Sequence, residues 1–315
     1  MPVRVAPPPR AGQGPCADST ASRIAVIMRG AMHLDPAKRL VKRLLGRPTV
    51  AHANVVFWPS GAPPARLNQT QALFCEWNAE RLGIPVAESR RRYADSWQAL
   101  RGGHGGGEFR GFCVLSHTLF RVFYDDSPGE VYAAYRFHGP MHFLRMLSYA
   151  EPVWDDDDPV VAHLRQCPDP RVLDFGCGLA QRSRGLALKL QAEGRTVALD
   201  LVDIPTERKA FLLWLGDRLG IPTTFADCTP DAPIPPLGGC DVCIATEVFE
   251  HLHQPLAYLD AMHGALRPGG LLVTNIADQK AEYMHVSPDL SALRARLREL
   301  GYGERVPTRL YRKPG

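Results

Sequence analysis

No apolar run in the 315-residue chain approaches the roughly 18 residues that a membrane span requires. Residues 1–23 are rich in Pro, Gly and Ala and contain no apolar core of signal-peptide length, so they read as a disordered leader. A cytoplasmic location is the expectation, with the eight cysteines kept as free thiols by a reducing environment. Cys240 and Cys243 spell CxxC, but no second pair exists to complete a zinc site. They fall where the chain reads as a strand, which should turn the two sulfurs to opposite sides and leave them structural. Strong charge is also missing: a net +4 permits an anionic partner without requiring one. The one dense basic run, Arg90-Arg91-Arg92 beside Tyr93, reads as a solvated helix face, so nucleic acid is not an expected partner.

What is present is an ordinary globular composition, 45% hydrophobic and 22% charged. The length exceeds the usual single core, so one large domain plus an appendage is expected. Residues 24–150 read as helical and irregular, a region suited to binding substrate or covering a site. Within it, TQALFCEWNAERLG places Leu73, Phe74 and Trp77 on one helix face and ends at Gly83, a C-cap. The stretch GGHGGGEFRG (residues 102–111) reads as a linker rather than a lid. Asp158-Pro159 is N-cap and N1 chemistry for a short helix ending before residue 167.

The pattern changes within residues 151–315. Short apolar runs (RVLDF, TVALDLVDI, PTTFA, DVCIATEV, GLLVTNI) alternate with helical stretches, as buried parallel strands with crossover helices do. GERVPTRLYRK would add a hairpin at the sheet edge. The fold expected is α/β: a doubly wound, mostly parallel seven-stranded sheet with a mainly helical N-terminal region.

The first strand ends in VLDFGCGLAQ, where Gly176 and Gly178 allow a tight turn and close backbone approach to a ligand. Gln181 stands where a dinucleotide fingerprint needs a third glycine. Asp174 is an acid aimed at the loop, welcome to the amino group of a zwitterionic ligand but not to a diphosphate. Asp203, at the second strand end, is placed to accept from both hydroxyls of a ribose.

VLDFGCG, LVDIP, FADCT, DVCIATEVFEHL and LRPGGLLVTN, in that order over about residues 168–315, resemble the Rossmann-like class I S-adenosylmethionine-dependent methyltransferases, small-molecule EVxEH subgroup. That resemblance implies S-adenosylmethionine as cofactor. It implies Asp174, Gly176, Cys177 and Gly178 around the methionine moiety, and Asp203 and Ile204 at the ribose. Asp227 with the Cys228 amide would read the adenine edge, and Thr246 and Glu247 would lie beside the sulfonium. Ala180 departs from the many members with a third glycine.

ATEVFEHLH (residues 245–253) follows the fourth strand, at the carboxyl edge where open α/β sheets bind ligands. If it forms a helical turn, Glu247, Glu250 and His251 share a face and His253 points elsewhere. With His285 as a fourth ligand, the pattern resembles metal-assisted small-RNA 2′-O-methyltransferases, and its ExxEH part ubiquinone-pathway O-methyltransferases. Metal-free members of the superfamily also carry EVxEH, so a divalent metal is an option and not the favoured one. His251 as general base, with Glu247 at the cofactor, needs less.

No Asn-Pro-Pro-Tyr type motif follows the fourth strand, as adenine and glutamine N-methyltransferases of similar fold carry, nor a Pro-Cys pair, as in cytosine C5 enzymes. A small-molecule acceptor is therefore expected, O-methylated in preference to N-methylated. Tyr132, Tyr135, His138, His142, Trp154 and Asn275 are candidates for the substrate wall. The remaining alternatives are non-methyl use of the cofactor (cyclisation or aminobutyryl transfer), RNA 2′-O-methylation, and a catalytically silent cofactor-binding subunit. Oligomeric state is not legible.

Overall fold

The computed structural model describes residues 67–101, 143, 146–149, 152–279 and 285–315. The glycine-rich 102–111 stretch and Tyr132, Tyr135, His138 and His142 lie outside them.

Two helices come first, α1 (Gln69–Leu82) and α2 (Val86–Arg101), followed by α3 (Pro159–Gln166). Then β1 (Arg171–Phe175), α4 (Gln181–Gln191), β2 (Ala198–Asp203), α5 (Glu207–Leu219) and β3 (Thr223–Asp227) alternate. They are followed by β4 (Cys240–Ala245), a 3-10 turn (Phe249–His251), α6 (Pro255–Ala265), β5 (Leu266–Thr274), α7 (Ser291–Glu299), β6 (Gly303–Val306) and β7 (Leu310–Arg312). The helix boundaries follow local chemistry. Asn68 caps α1 by accepting from the Gln71 amide at 2.7 Å, and Gly83 closes it in the left-handed region at φ 63°. Asp158 caps α3 by accepting from the Val160 amide at 2.8 Å, with Pro159 at its start.

The sheet has seven strands in the order β3-β2-β1-β4-β5-β7-β6. The first five are parallel, and β7 runs antiparallel to both neighbours. Strand order reverses between β1 and β4, which opens a crevice at their carboxyl ends. Every residue of β4 is buried because helices cover both faces, which is why CDVCIA reads as an unbroken apolar run. One face packs Leu173, Phe175, Leu272 and Tyr311 under α6 and α7, and the other packs Val172, Val242, Ile244 and Leu271 under α3 and α4.

The expected divergence of Cys240 and Cys243 is not what forms. A register shift between Cys240 and Val242 breaks the period of two, and both thiols enter the same cluster. They remain free and buried, as structural thiols. GLLVTNI also starts too late, since β5 begins at Leu266 and carries the turn residues Pro268, Gly269 and Gly270 within it.

A third cluster joins α1 and α2 to the outside of α5. Phe211, fully buried, meets Trp77 at 5.4 Å, Phe143 at 5.6 Å and Phe74 at 5.8 Å between ring centroids. Arg184, also buried, ties α1 to the start of α4, donating to the Leu179 carbonyl at 2.7 Å and the Thr70 hydroxyl at 2.8 Å. Truncation of Phe211 to Ala should cost about 3–5 kcal/mol in denaturant unfolding, because it removes the ring on which these aromatics converge. A loss below about 1 kcal/mol would mean that this cluster adds little to folding.

Candidate functional site

After β1 the chain turns through Gly176 and Gly178, with φ of 67° and 56°. The Gly176 and Cys177 amides donate to the Val202 carbonyl at 2.7 and 3.2 Å. The Asp203 carboxylate accepts from the Gly178 amide at 2.8 Å and from the Ile204 amide at 2.7 Å. Cys177 Sγ lies 3.9 Å from it, and the buried Arg208 guanidinium 3.5 Å. The glycine loop and the end of β2 are thereby locked together around one carboxylate. Part of the reason for the glycines is internal: a side chain on Gly176 would run into Val248, and a Cβ on Gly178 would lie 3.2 Å from Met146 Sδ. Met146 also accepts at its carbonyl from Gln181 Nε2 at 2.8 Å, which pins residues 146–149 to the start of α4.

Asp174 faces α4 and accepts the Ser183 hydroxyl at 2.5 Å. Burial pushes its carboxyl up to about 7, opposed by the Ser183 hydrogen bond and reinforced by the charge of Asp203. Asp227 pairs in register with Asp203 across the β2–β3 ladder. Its two oxygens accept from Lys209 Nζ at 2.8 and 2.9 Å. The Cys228 amide, expected at the adenine edge, donates instead to the Asp203 carbonyl at 2.9 Å and extends the ladder. That donor is spent.

The stretch after β4 is not one helical turn. Glu247 has φ 56°, a left-handed conformation unusual for a side chain of its kind and of the sort that clusters at functional sites. The 3-10 turn starts only at Phe249. Glu247 is exposed and hydrogen-bonds the Asn275 amide, while Thr246 is half-buried before it. The expected face of Glu247, Glu250 and His251 therefore dissolves, because the left-handed residue turns Glu247 away.

Glu250, His251 and His285 do converge, with ligand-capable atoms all within 4.8 Å of one another. The imidazoles meet edge to face at 4.9 Å between centroids, and His251 Nε2 lies 3.9 Å from Glu250 Oε1. Backbone bonds bring them together: the Glu250 carbonyl accepts from the Val286 and Ser287 amides at 2.8 and 3.0 Å. Ser287 Oγ donates to the Leu252 carbonyl at 2.7 Å. Glu250 is fully buried, and among the described residues no other residue donates a hydrogen bond to its carboxylate. Burial pushes its carboxyl up to about 7, its own backbone amide pulling down and the Glu247 charge pushing up.

Trp154 is placed elsewhere, donating to the Arg182 carbonyl at 3.0 Å and packing its ring against Gly185. Ser183, Arg208, Lys209 and Met146 were not among the expected site residues. Arg208 and Lys209 had one faint signal, their position in the first turn of the helix after the Asp203 strand end.

Residues 134–306 match a family model described as a methyltransferase domain. A 105-residue stretch is 33% identical to the ubiquinone biosynthesis O-methyltransferase of Ruegeria pomeroyi and 32% identical to that of Cereibacter sphaeroides. Each match covers 33% of this chain and 39% of the relative's length. Among solved structures, magnesium protoporphyrin IX methyltransferase from Synechocystis superposes with a TM-score of 0.42 at 18% identity, over 59% of this chain and 97% of that one. TehB from Haemophilus influenzae gives 0.37 at 20% identity, over 49% of this chain and 61% of that one.

The buried Asp174 carboxyl generates a pH dependence. A carboxyl raised in the folded state contributes stability that is fully present below its unfolded value near 3.8 and is lost as pH rises through about 7. Asp174→Asn should therefore gain on the wild type by a few kcal/mol between pH 4 and pH 8 in paired denaturant unfolding. Parallel stability profiles for the two proteins would show that Asp174 is not raised.

Proposed function

The chain belongs to the methyltransferase-domain family, as an S-adenosylmethionine-dependent methyltransferase, and from that premise we propose that it methylates a hydroxyl oxygen of a small-molecule acceptor. The observation that carries the acceptor chemistry is the pair of imidazoles, His251 and His285, held over a buried carboxylate just after β4. The cofactor, once bound, supplies an electrophilic methyl group on a sulfonium. The chain's own work is then to place an oxygen in line with that methyl and to remove the oxygen's proton.

The residues fit the cofactor. The locked Gly176–Gly178 turn follows β1 at the switch point beside β4, with the Asp203 carboxylate at the end of the neighbouring β2 and Asp227 next to it on β3. Asp203 would take the ribose and Asp227 the adenine amino group. Glu247 and Thr246 would flank the sulfonium, where the Asn275 contact fixes the Glu247 side chain. His251 would accept the acceptor's proton. The carboxylate of Glu250, 3.9 Å from its ring, would stabilise the imidazolium that results. The region 24–150 would supply the substrate side, and Met146, resting on the glycine loop, supports that reading. The relatives' names, which state O-methylation in ubiquinone biosynthesis, support an oxygen acceptor.

A second reading is favoured by the full burial of Glu250, to whose carboxylate no other described residue donates a hydrogen bond. A buried ionised carboxylate without partners costs several kcal/mol, a cost that a proton or a cation can remove. Glu250, His251 and His285 fit a divalent ion by donor type and spacing, and Glu247 does not join them. An ion there would lower the pKa of the acceptor hydroxyl.

A panel of phenolic and aliphatic hydroxyl acceptors with isotopically labelled S-adenosylmethionine tests the proposal. S-adenosylhomocysteine should be released, and His251→Ala should lower kcat by about 100- to 10,000-fold while cofactor affinity stays within a few-fold. Release of methylthioadenosine, or an unchanged kcat in the variant, would overturn it. Full activity after EDTA treatment selects the base reading; loss restored by Mn or Mg, and not restored in His285→Ala, selects the ion.

A further inference from the structure

We infer that Lys209 is a specificity-determining residue of the adenine site, donating a hydrogen bond to a ring nitrogen beside the adenine amino group. The inference rests on the cofactor reading above and deepens it. The adenine edge offers a donor, the amino N–H, next to an acceptor, a ring nitrogen. A carboxylate accepts only, so Asp227 can take the amino group and nothing more. A 6-oxopurine reverses both roles on its Watson–Crick edge and replaces the amino donor by an oxygen on its N7 edge, so a donor beside Asp227 completes the match to adenine.

The nearest backbone donor cannot provide it. The Cys228 amide has one proton and gives it to the Asp203 carbonyl at 2.9 Å. Lys209, from the first turn of α5, reaches the same place. Its ammonium contacts both Asp227 oxygens at 2.8 and 2.9 Å and lies 5.4 Å from the centre of the Phe225 ring. An ammonium has three protons, and two contacts to one carboxylate use at most two of them. Lys209 and Asp227 together therefore present a donor beside an acceptor, the complement of adenine. Both side chains are about one-third exposed, so a base can reach them without opening the core.

The test is calorimetric titration of S-adenosylhomocysteine and its 1-deaza and 7-deaza analogues into wild type and Lys209→Met. Lys209 is only partly buried, and the substitution keeps the length of the stem. Wild type should bind one deaza analogue about ten-fold more weakly than the parent, the loss expected of one charge-assisted hydrogen bond. Lys209→Met should bind the parent about ten-fold more weakly and no longer distinguish that analogue from it. If Lys209 only orients Asp227, the variant weakens the parent and both analogues by the same factor, and the inference is wrong. It is also wrong if wild type binds all three alike. A folded wild type that binds none of them removes the cofactor reading and this inference with it, whereas binding unaffected by Lys209→Met removes the inference alone.

Discussion

The Asp203 carboxylate is the fixed point of this site. It sits at the last residue of β2 and takes the Gly178 amide on one oxygen and the Ile204 amide on the other. Without those bonds the glycine loop has only the Val202 carbonyl to hold it against β2. The loop in turn fixes the start of α4, and with it Ser183 against Asp174 and Gln181 under Met146. A single acceptor at the end of β2 thus ties together the strand end, the turn, the following helix and the Met146 segment bonded to it. Arg208 and Lys209, on the first turn of α5, bring positive charge to Asp203 and Asp227, the two acids at the ends of neighbouring strands. Like charges at such a separation would otherwise repel.

A separate constraint builds the other half. Two segments distant in sequence, 250–252 and 285–287, are tied by backbone and hydroxyl bonds, and this is what brings His285 to His251. Burial of Glu250 beside them pushes its carboxyl up to about 7, so that the neutral form is within reach. A group in that condition is poised to exchange a proton or to hold a cation, and either use suits chemistry on a hydroxyl.

Much of this was legible in the residues alone. Parallel strands buried on both faces produce apolar runs that no surface element imitates, and caps such as Asn68, Gly83 and Asp158 act through their immediate neighbours. The glycine turn and the acids at strand ends follow from the same local logic. What escaped depends on backbone conformation or on distant partners. The left-handed Glu247 and the register shift after Cys240 leave no mark in composition or period. Ser183 and Lys209 become meaningful only once a helix is laid against a particular strand. The hydrogen bond of the Cys228 amide to the Asp203 carbonyl is visible only when β2 and β3 are paired. Trp154, a candidate for the substrate wall, also seats α4 through the Arg182 carbonyl, a contact that its sequence position does not reveal.

The most direct test of the account is calorimetric titration of S-adenosylhomocysteine into the wild-type protein and an Asp203→Ala variant, both shown to be folded. The account predicts saturable binding by wild type and a loss of at least about ten-fold in the variant, since one carboxylate both receives the ribose and holds the loop. Absence of binding by folded wild type, or equal affinity in the variant, would contradict it.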